Sequence, residues 1–220
     1  MLAAREDAPR LVLERLARDR DRQTRQAVVS NPGCPPEVLL VFLRDSERQI
    51  RWDAVQHPNV DEAVRRAAVR SADNDVRWAA AQLHDLEPDL IEALLADAEW
   101  QVREQLAVNT RNASVLEALM QDRDARVRGE VALNELATGD QLRRLAEDAS
   151  AGARAKVAAR DLLPVDVQLR LAGDRSSNVR WWLCVSHDDD VGLMRRMSAD
   201  PDKLVADHAK AALDQRQPGR

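Results

Sequence analysis

An aspartate, four further residues, an apolar residue, an arginine and a short apolar run recur along this chain at a step close to 26 residues. The stretch Asp45-Ser46-Glu47-Arg48-Gln49-Ile50-Arg51-Trp52-Asp53-Ala54-Val55 shows the unit whole. Its aspartates are Asp19, Asp45, Asp97, Asp122, Asp148, Asp174 and Asp200, with steps of 26, 52, 25, 26, 26 and 26. The copy inside the long step reads as slipped, at Asp73-Asn74-Asp75-Val76-Arg77-Trp78. Seven of the eight copies carry the arginine: Arg25, Arg51, Arg77, Arg103, Arg128, Arg154 and Arg180; the last, Val205-Ala206, lacks it. A fixed period of this size means a stack of equivalent modules, none of which can bury its own apolar face.

Each module reads as two short helices. The first opens on proline or a small polar residue, and apolar side chains follow at helical spacing. Pro9 precedes Val12, Leu13 and Leu16; Pro35-Pro36 precede Val38, Leu39 and Phe42; Pro88 precedes Leu90, Ile91 and Leu94; Pro164 precedes Val167 and Leu171. Proline is tolerated there because the first amides of a helix have no intrahelical acceptor. In the second helix the apolar start (Ile50, Val76, Val102, Val127 or Val179) counts as position zero, and the residues four and five later are apolar too, as in Ala54-Val55, Leu106-Ala107 and Leu183-Cys184. These points share one sector of a helix and form its buried stripe. Two helices in about 26 residues leave one of them little more than two turns long and partly 3₁₀. The third module is the irregular one: its first helix is extended across Asp61–Arg70 and its loop is shortened. The expectation is one all-α solenoid domain over residues 1–213, right-handed, of about eight two-helix repeats, with a disordered tail over 214–220.

Runs such as Asn31-Pro-Gly-Cys-Pro-Pro-Glu-Val-Leu-Leu-Val-Phe-Leu-Arg-Asp45 leading into Ile50-Arg51, Leu94-Leu-Ala-Asp97 into Val102-Arg103, and Leu119-Met-Gln-Asp122 into Val127-Arg128 resemble the leucine-rich repeat variant family. The resemblance covers roughly residues 9–213 and implies a bacterial, HEAT-like α-solenoid alternating an α-helix with a shorter 3₁₀-like helix. One architecture of that family holds an iron–sulfur cluster on an amino-terminal cysteine group. No such group exists here, so the resemblance implies no cofactor.

The two cysteines, Cys34 and Cys184, lie 150 residues apart with no CxxC pair, and are expected to be buried, inert thiols. No apolar run suits a signal peptide or a bilayer span, and a cytoplasmic protein is expected. The net charge is −5, with 8 basic against 15 acidic residues over 76–150. That balance argues against a nucleic-acid phosphate backbone or an anionic membrane as partner. His57, His84, His187 and His208 form no HExxH or other metal-ligand spacing, and no phosphate loop appears. Asp188-Asp189-Asp190 reads as an acidic helix start. No catalytic or metal-binding residue is assigned, and the chain reads as a non-enzyme.

The polar signal that remains is the aspartate–arginine pattern. Each arginine directly follows position zero, inside the apolar sector and in the first turn. It needs an acceptor, and the expected one is the aspartate six residues earlier, in its own module or the next. The structural ladder expected is Asp19, Arg25, Asp45, Arg51, Arg77, Asp97, Arg103, Asp122, Arg128, Asp148, Arg154, Asp174 and Arg180. Trp52, Trp78 and Trp181 share the position two after zero, where other copies hold Gln26, Glu104, Gly129, Ala155 and Asp207. That position points about 200° around the helix from the stripe, which makes these tryptophans candidate partner-binding residues; packing on a neighbouring helix is the competing explanation. The reading that follows is a scaffold binding a protein or peptide along one face. An alternative resembles the HEAT-like alkylpurine DNA glycosylases, which hold DNA with concave-face Trp, Asp and Arg. It would cast Trp52-Asp53 and Arg180-Trp181 in those roles, against the acidic charge and the short repeat.

Overall fold

The computed structural model describes residues 8–216. It is all-helical, with sixteen α-helices and no strand among the described residues. The chain divides after Asn109 into two compact units, each built from four helix pairs. In the first unit the leading helices are α1 (Arg10–Leu16), α3 (Pro36–Phe42), α5 (Glu62–Val69) and α7 (Pro88–Leu95). They alternate with α2 (Arg22–Val29), α4 (Arg48–Val55), α6 (Asn74–Ala80) and α8 (Trp100–Asn109). In the second unit α9 (Ala113–Leu119), α11 (Gly139–Leu145), α13 (Val165–Leu171) and α15 (Val191–Met197) alternate with α10 (Ala125–Val131), α12 (Ala151–Ala158), α14 (Ser177–Ser186) and α16 (Lys203–Gln215).

The helix starts follow the sequence chemistry. Pro36 and Pro88 stand in the first turns of α3 and α7. Where proline is absent a side chain takes over. Asp61 accepts from the Val64 N–H, Asp190 from Leu193, and Thr138 with Gln141 closes a reciprocal capping box on α11. Within each unit the second helices pack on one another, α2 on α4 on α6 on α8, and α10 on α12 on α14 on α16. Each leading helix packs against the second helix of its own pair. The apolar stripe is the core: Ile50, Ala54, Val55, Val127, Val131, Ala132, Val179, Leu183 and Cys184 are fully buried, as are Leu39, Phe42, Leu90, Leu116, Leu171 and Met194 from the leading helices.

Three expectations are corrected. The shorter helix of each pair is α rather than 3₁₀; only its exit is tightened. The N–H groups of Asp19, Asp45, Asp97, Asp122, Asp148, Asp174 and Asp200 each donate to the carbonyl three residues back, which satisfies an end carbonyl without a left-handed residue. The third module is also neither slipped nor stretched. Helix α5 has eight residues, and the Ser71 N–H makes the same three-back bond to Ala68 that Asp45 makes to Phe42. Ser71 therefore stands at the ladder aspartate's place, and Asp73 is the N-cap of α6. Finally, α16 runs through Gln215, past the point where a tail was expected; residues 217–220 lie outside the described residues. No helix among the described residues is long and apolar enough to cross a membrane.

Candidate functional site

Within each unit, ladder arginines hold two modules at once. In each, Nη1 donates to the backbone carbonyl six residues earlier: Arg25 to Asp19 at 3.0 Å, Arg51 to Asp45 at 2.8 Å, Arg77 to Ser71 at 2.9 Å, Arg103 to Asp97 at 2.6 Å, and Arg128, Arg154 and Arg180 to Asp122, Asp148 and Asp174 at 2.7 Å. The aspartate in a module's own loop thus offers its backbone, not its side chain. The carboxylate partner is the aspartate of the next module. Nε and Nη2 of Arg25, Arg77, Arg128, Arg154 and Arg180 fork onto Asp45, Asp97, Asp148, Asp174 and Asp200, with Nε–Oδ2 distances of 2.6–2.7 Å. Each of these carboxylates also accepts from the N–H two residues on, as Glu47 donates to Asp45 at 2.9 Å.

Burial pushes the carboxyls of Asp45, Asp148 and Asp174 upward, but the guanidinium fork and the backbone amide outweigh it, so all three titrate below the usual aspartate value. At Asp200 the Arg180 hydrogen bond is itself the largest influence, in the same direction. Fork-on-carboxylate geometry of this kind fixes register as well as charge. Among the described residues no arginine forks onto Asp19; its carboxylate accepts from the Asp21 N–H at 2.8 Å.

One rung departs from the rest. With Ser71 in place of the aspartate, Arg51 turns to the capping residue of the next helix. Its Nε lies 2.9 Å from Asp73 Oδ2, and its Nη2 lies 3.5 Å from Asp75. Both are ion pairs by distance. The Nε contact is poorly directed, and that buried nitrogen has no hydrogen bond.

The three tryptophans lie at the seam between neighbouring second helices. Trp52 of α4 and Trp78 of α6 meet with ring centroids 5.4 Å apart and planes inclined at 37°. Trp181 of α14 meets the ring of His208 on α16 edge-on, also at 5.4 Å. Where the same position holds a small residue the helices close up: Gly129 and Ala155 are buried there. A Cβ on Gly129 would come within 3.2 Å of the Ala153 Cα. The position thus serves packing between modules, and Trp52 and Trp78, each half-buried, serve it only in part. Their remaining faces open on a hollow of about 420 Å³, lined also by Arg48, Gln49, Arg51 and Asp75. Asp75 bridges the arginines, with Arg48 Nε 3.1 Å away. The structure brings Trp52 and Trp78 together in one hollow of the first unit; Trp181 belongs to a separate place in the second.

A second set of cross-module bonds was not foreseen. At the other end of the second helices, polar side chains reach back to the preceding module's loop carbonyls. His57 Nε2 meets the Asn31 carbonyl at 3.0 Å, Asn134 Nδ2 donates to Thr110 at 3.0 Å, and Arg160 Nη1 donates to Ala132 and Asn134 at 2.7 and 2.8 Å. His57 Nδ1 accepts from the Asn59 N–H, so Nε2 is the nitrogen that carries the proton. The sequence signal was a polar residue seven after position zero in most copies, at Asn31, His57, Asn109, Asn134, Arg160 and Ser186.

Cys34 and Cys184 are buried free thiols, and burial pushes them up to about 12 and about 11 respectively, far from the thiolate form that reacts. Among the described residues no group of three or more His, Cys, Asp or Glu is placed to hold a metal ion. In the acidic triplet, Asp190 caps α15 and Asp188 pairs with Arg216.

No protein-family model and no curated protein sequence matches the chain. Among solved structures it is similar to one described as a leucine-rich repeat variant with a novel repetitive structural motif. That likeness has a TM-score of 0.62 at 23% identity, over 92% of this chain and 81% of the other. The fold is that of a leucine-rich repeat variant. An engineered protein is also matched, at 16% identity and a TM-score of 0.20, too low to add to the comparison. Within the leucine-rich repeat variant fold, the alternating helix pairs set Arg25, Arg77, Arg128, Arg154 and Arg180 against the aspartate of the next module. Asp122 accepts from Arg128 with its carbonyl and from the Asp124 N–H with its carboxylate.

Proposed function

We propose that this chain is a non-enzymatic helical-repeat scaffold that binds a protein or peptide at the tryptophan hollow of its first unit. The observation that carries the reading is the pairing of Trp52 and Trp78. Two large aromatic side chains are contributed by successive modules and left half open to a hollow of about 420 Å³ beside Arg48 and Gln49. Aromatic and arginine side chains clustered in one concavity are the groups that anchor protein interfaces. The ladder supports a protein partner over a nucleic acid. Five of its arginines are each forked onto an aspartate and so are not offered to phosphates, and phosphate binding draws on uncommitted basic side chains.

The test is affinity capture from the source cell with the wild-type chain and with Trp52→Ala/Trp78→Ala, followed by calorimetry on the partner recovered. The double variant is expected to weaken binding by roughly 30-fold or more, as loss of an aromatic anchor does. Trp182→Ala removes an equally large but separately placed ring and should leave binding unchanged. Equal affinity of wild type and double variant would remove the hollow from the site. A salt-dependent shift of duplex DNA by the wild-type chain would turn the reading toward nucleic acid.

A further inference from the structure

The second unit carries an apolar surface that the tryptophan hollow does not involve. Nine residues after position zero, in the loop that leaves the second helix, the modules hold Gly33, Asn59, Asp85, Arg111, Leu136, Leu162 and Asp188. Only two consecutive modules place leucine there, and both leucines are exposed: Leu136 at 45% and Leu162 at 82%. Leu133 is exposed beside them, and Val165 and Leu169, one turn apart on α13, extend the apolar surface of the second loop. Leu133 and Leu162 share a hollow of about 280 Å³ with Ala159, Arg160, Glu135 and Asp161.

The platform under this surface is built. Arg160 reaches from one loop into the other and bonds the carbonyls of Ala132 and Asn134. Asn134 in turn bonds the Thr110 carbonyl and, through Oδ1, the Leu136 N–H. Arg160, the one cation among the described residues lining the hollow, is therefore bonded to backbone carbonyls. Glu135 and Asp161 are exposed, and neither makes an ion pair among the described residues. What remains for a ligand is a leucine surface with two uncommitted carboxylates.

We infer that this edge of the second unit docks a basic, leucine-bearing segment of another protein, whose apolar side chains cover Leu133, Leu136 and Leu162 while its Lys or Arg residues pair with Glu135 and Asp161. The charge selects among occupants. A second copy of the chain would set Glu135 and Asp161 against themselves across a two-fold contact, and an anionic lipid surface would be repelled. An acidic or neutral segment would leave both carboxylates desolvated without partners.

The test uses the full chain and labelled synthetic amphipathic peptides of about 18 residues. One carries Leu and Lys, the other Leu and Glu in the same pattern. Fluorescence anisotropy should show binding of the Leu/Lys peptide to wild type, weakened roughly tenfold or more by Leu136→Ser/Leu162→Ser and by Glu135→Lys/Asp161→Lys. Glu135→Lys/Asp161→Lys should in turn gain affinity for the Leu/Glu peptide. All four substituted side chains are exposed, so circular dichroism should show the fold retained. Trp52→Ala/Trp78→Ala should bind the Leu/Lys peptide as wild type does, which separates this site from the hollow of the first unit. Equal Leu/Lys affinity in wild type and both loop variants would overturn the inference, as would equal affinity of wild type for the two peptides. Sedimentation showing a dimer that Leu136→Ser/Leu162→Ser dissociates would assign the surface to a second copy instead.

Discussion

Asp174 and Asp19 stand at the same place in their modules, yet their side chains face different demands. Asp174 takes the fork of Arg154, and both side chains are more than nine-tenths buried. Asp19 accepts from a loop amide. Asp174→Ala would strand a buried guanidinium and the Ser176 N–H together, a loss on the order of 3–5 kcal/mol. Asp19→Ala should cost no more than about 1 kcal/mol, the worth of one ordinary hydrogen bond. Chemical denaturation of the two variants measures the contrast, and similar losses would mean the fork adds nothing. The same rungs set the acid limit of the fold. Asp45, Asp148, Asp174 and Asp200 are held below the ordinary value of 3.8. At pH near that value the unfolded chain binds more protons than the native one. The stability these groups contribute is therefore complete above the unfolded value and is lost as pH falls through the folded values. The melting temperature should stay level from neutral pH down to about 5 and fall steeply below about 4. Removing a rung by Asp174→Ala should make that fall shallower.

At the scale of the helix, what matters is how closely second helices approach. Gly129 on α10 leaves no room for a large side chain, since the Ala153 Cα and Lys156 Cγ already lie 3.2 and 3.1 Å from where its Cβ would stand. Gly129→Leu should force α10 and α12 apart and cost roughly 1–3 kcal/mol, read as a lower denaturation midpoint. An unchanged midpoint would show that the seam yields freely. The buried stripe was legible along the chain because it repeats: Ile50, Ala54 and Val55 are as buried as their spacing requires. The seam was not legible, because a single helix does not reveal which of its polar-looking positions a neighbouring helix will cover. Gln26, Trp52 and Gly129 suggest a wet face when read one module at a time. They form a contact row only once α2, α4 and α10 have neighbours. The third module misled for a related reason. Aligning on the aspartate drew the register toward Asp73, whereas Val76 and Arg77 keep the 26-residue step and leave Ser71 at the rung.

For the whole chain, stability is a sum of modules and of the contacts between adjacent ones, so a local loss should stay local. Within each unit the bonds that cross modules join immediate neighbours: the arginine forks at one end of the second helices, and His57, Asn134 and Arg160 at the other. Breaking the Arg154–Asp174 rung removes a bond between α12 and the loop entering α14. Nothing in that change touches the contacts of α2, α4 and α6. Amide hydrogen exchange of Asp174→Ala should therefore quicken in α12 and α14, where local opening has become easier, and hold its wild-type rate in α2 and α4. A uniform rise across all sixteen helices would mean that the chain opens only as one cooperative body. The rungs would then secure the whole array rather than the step they span.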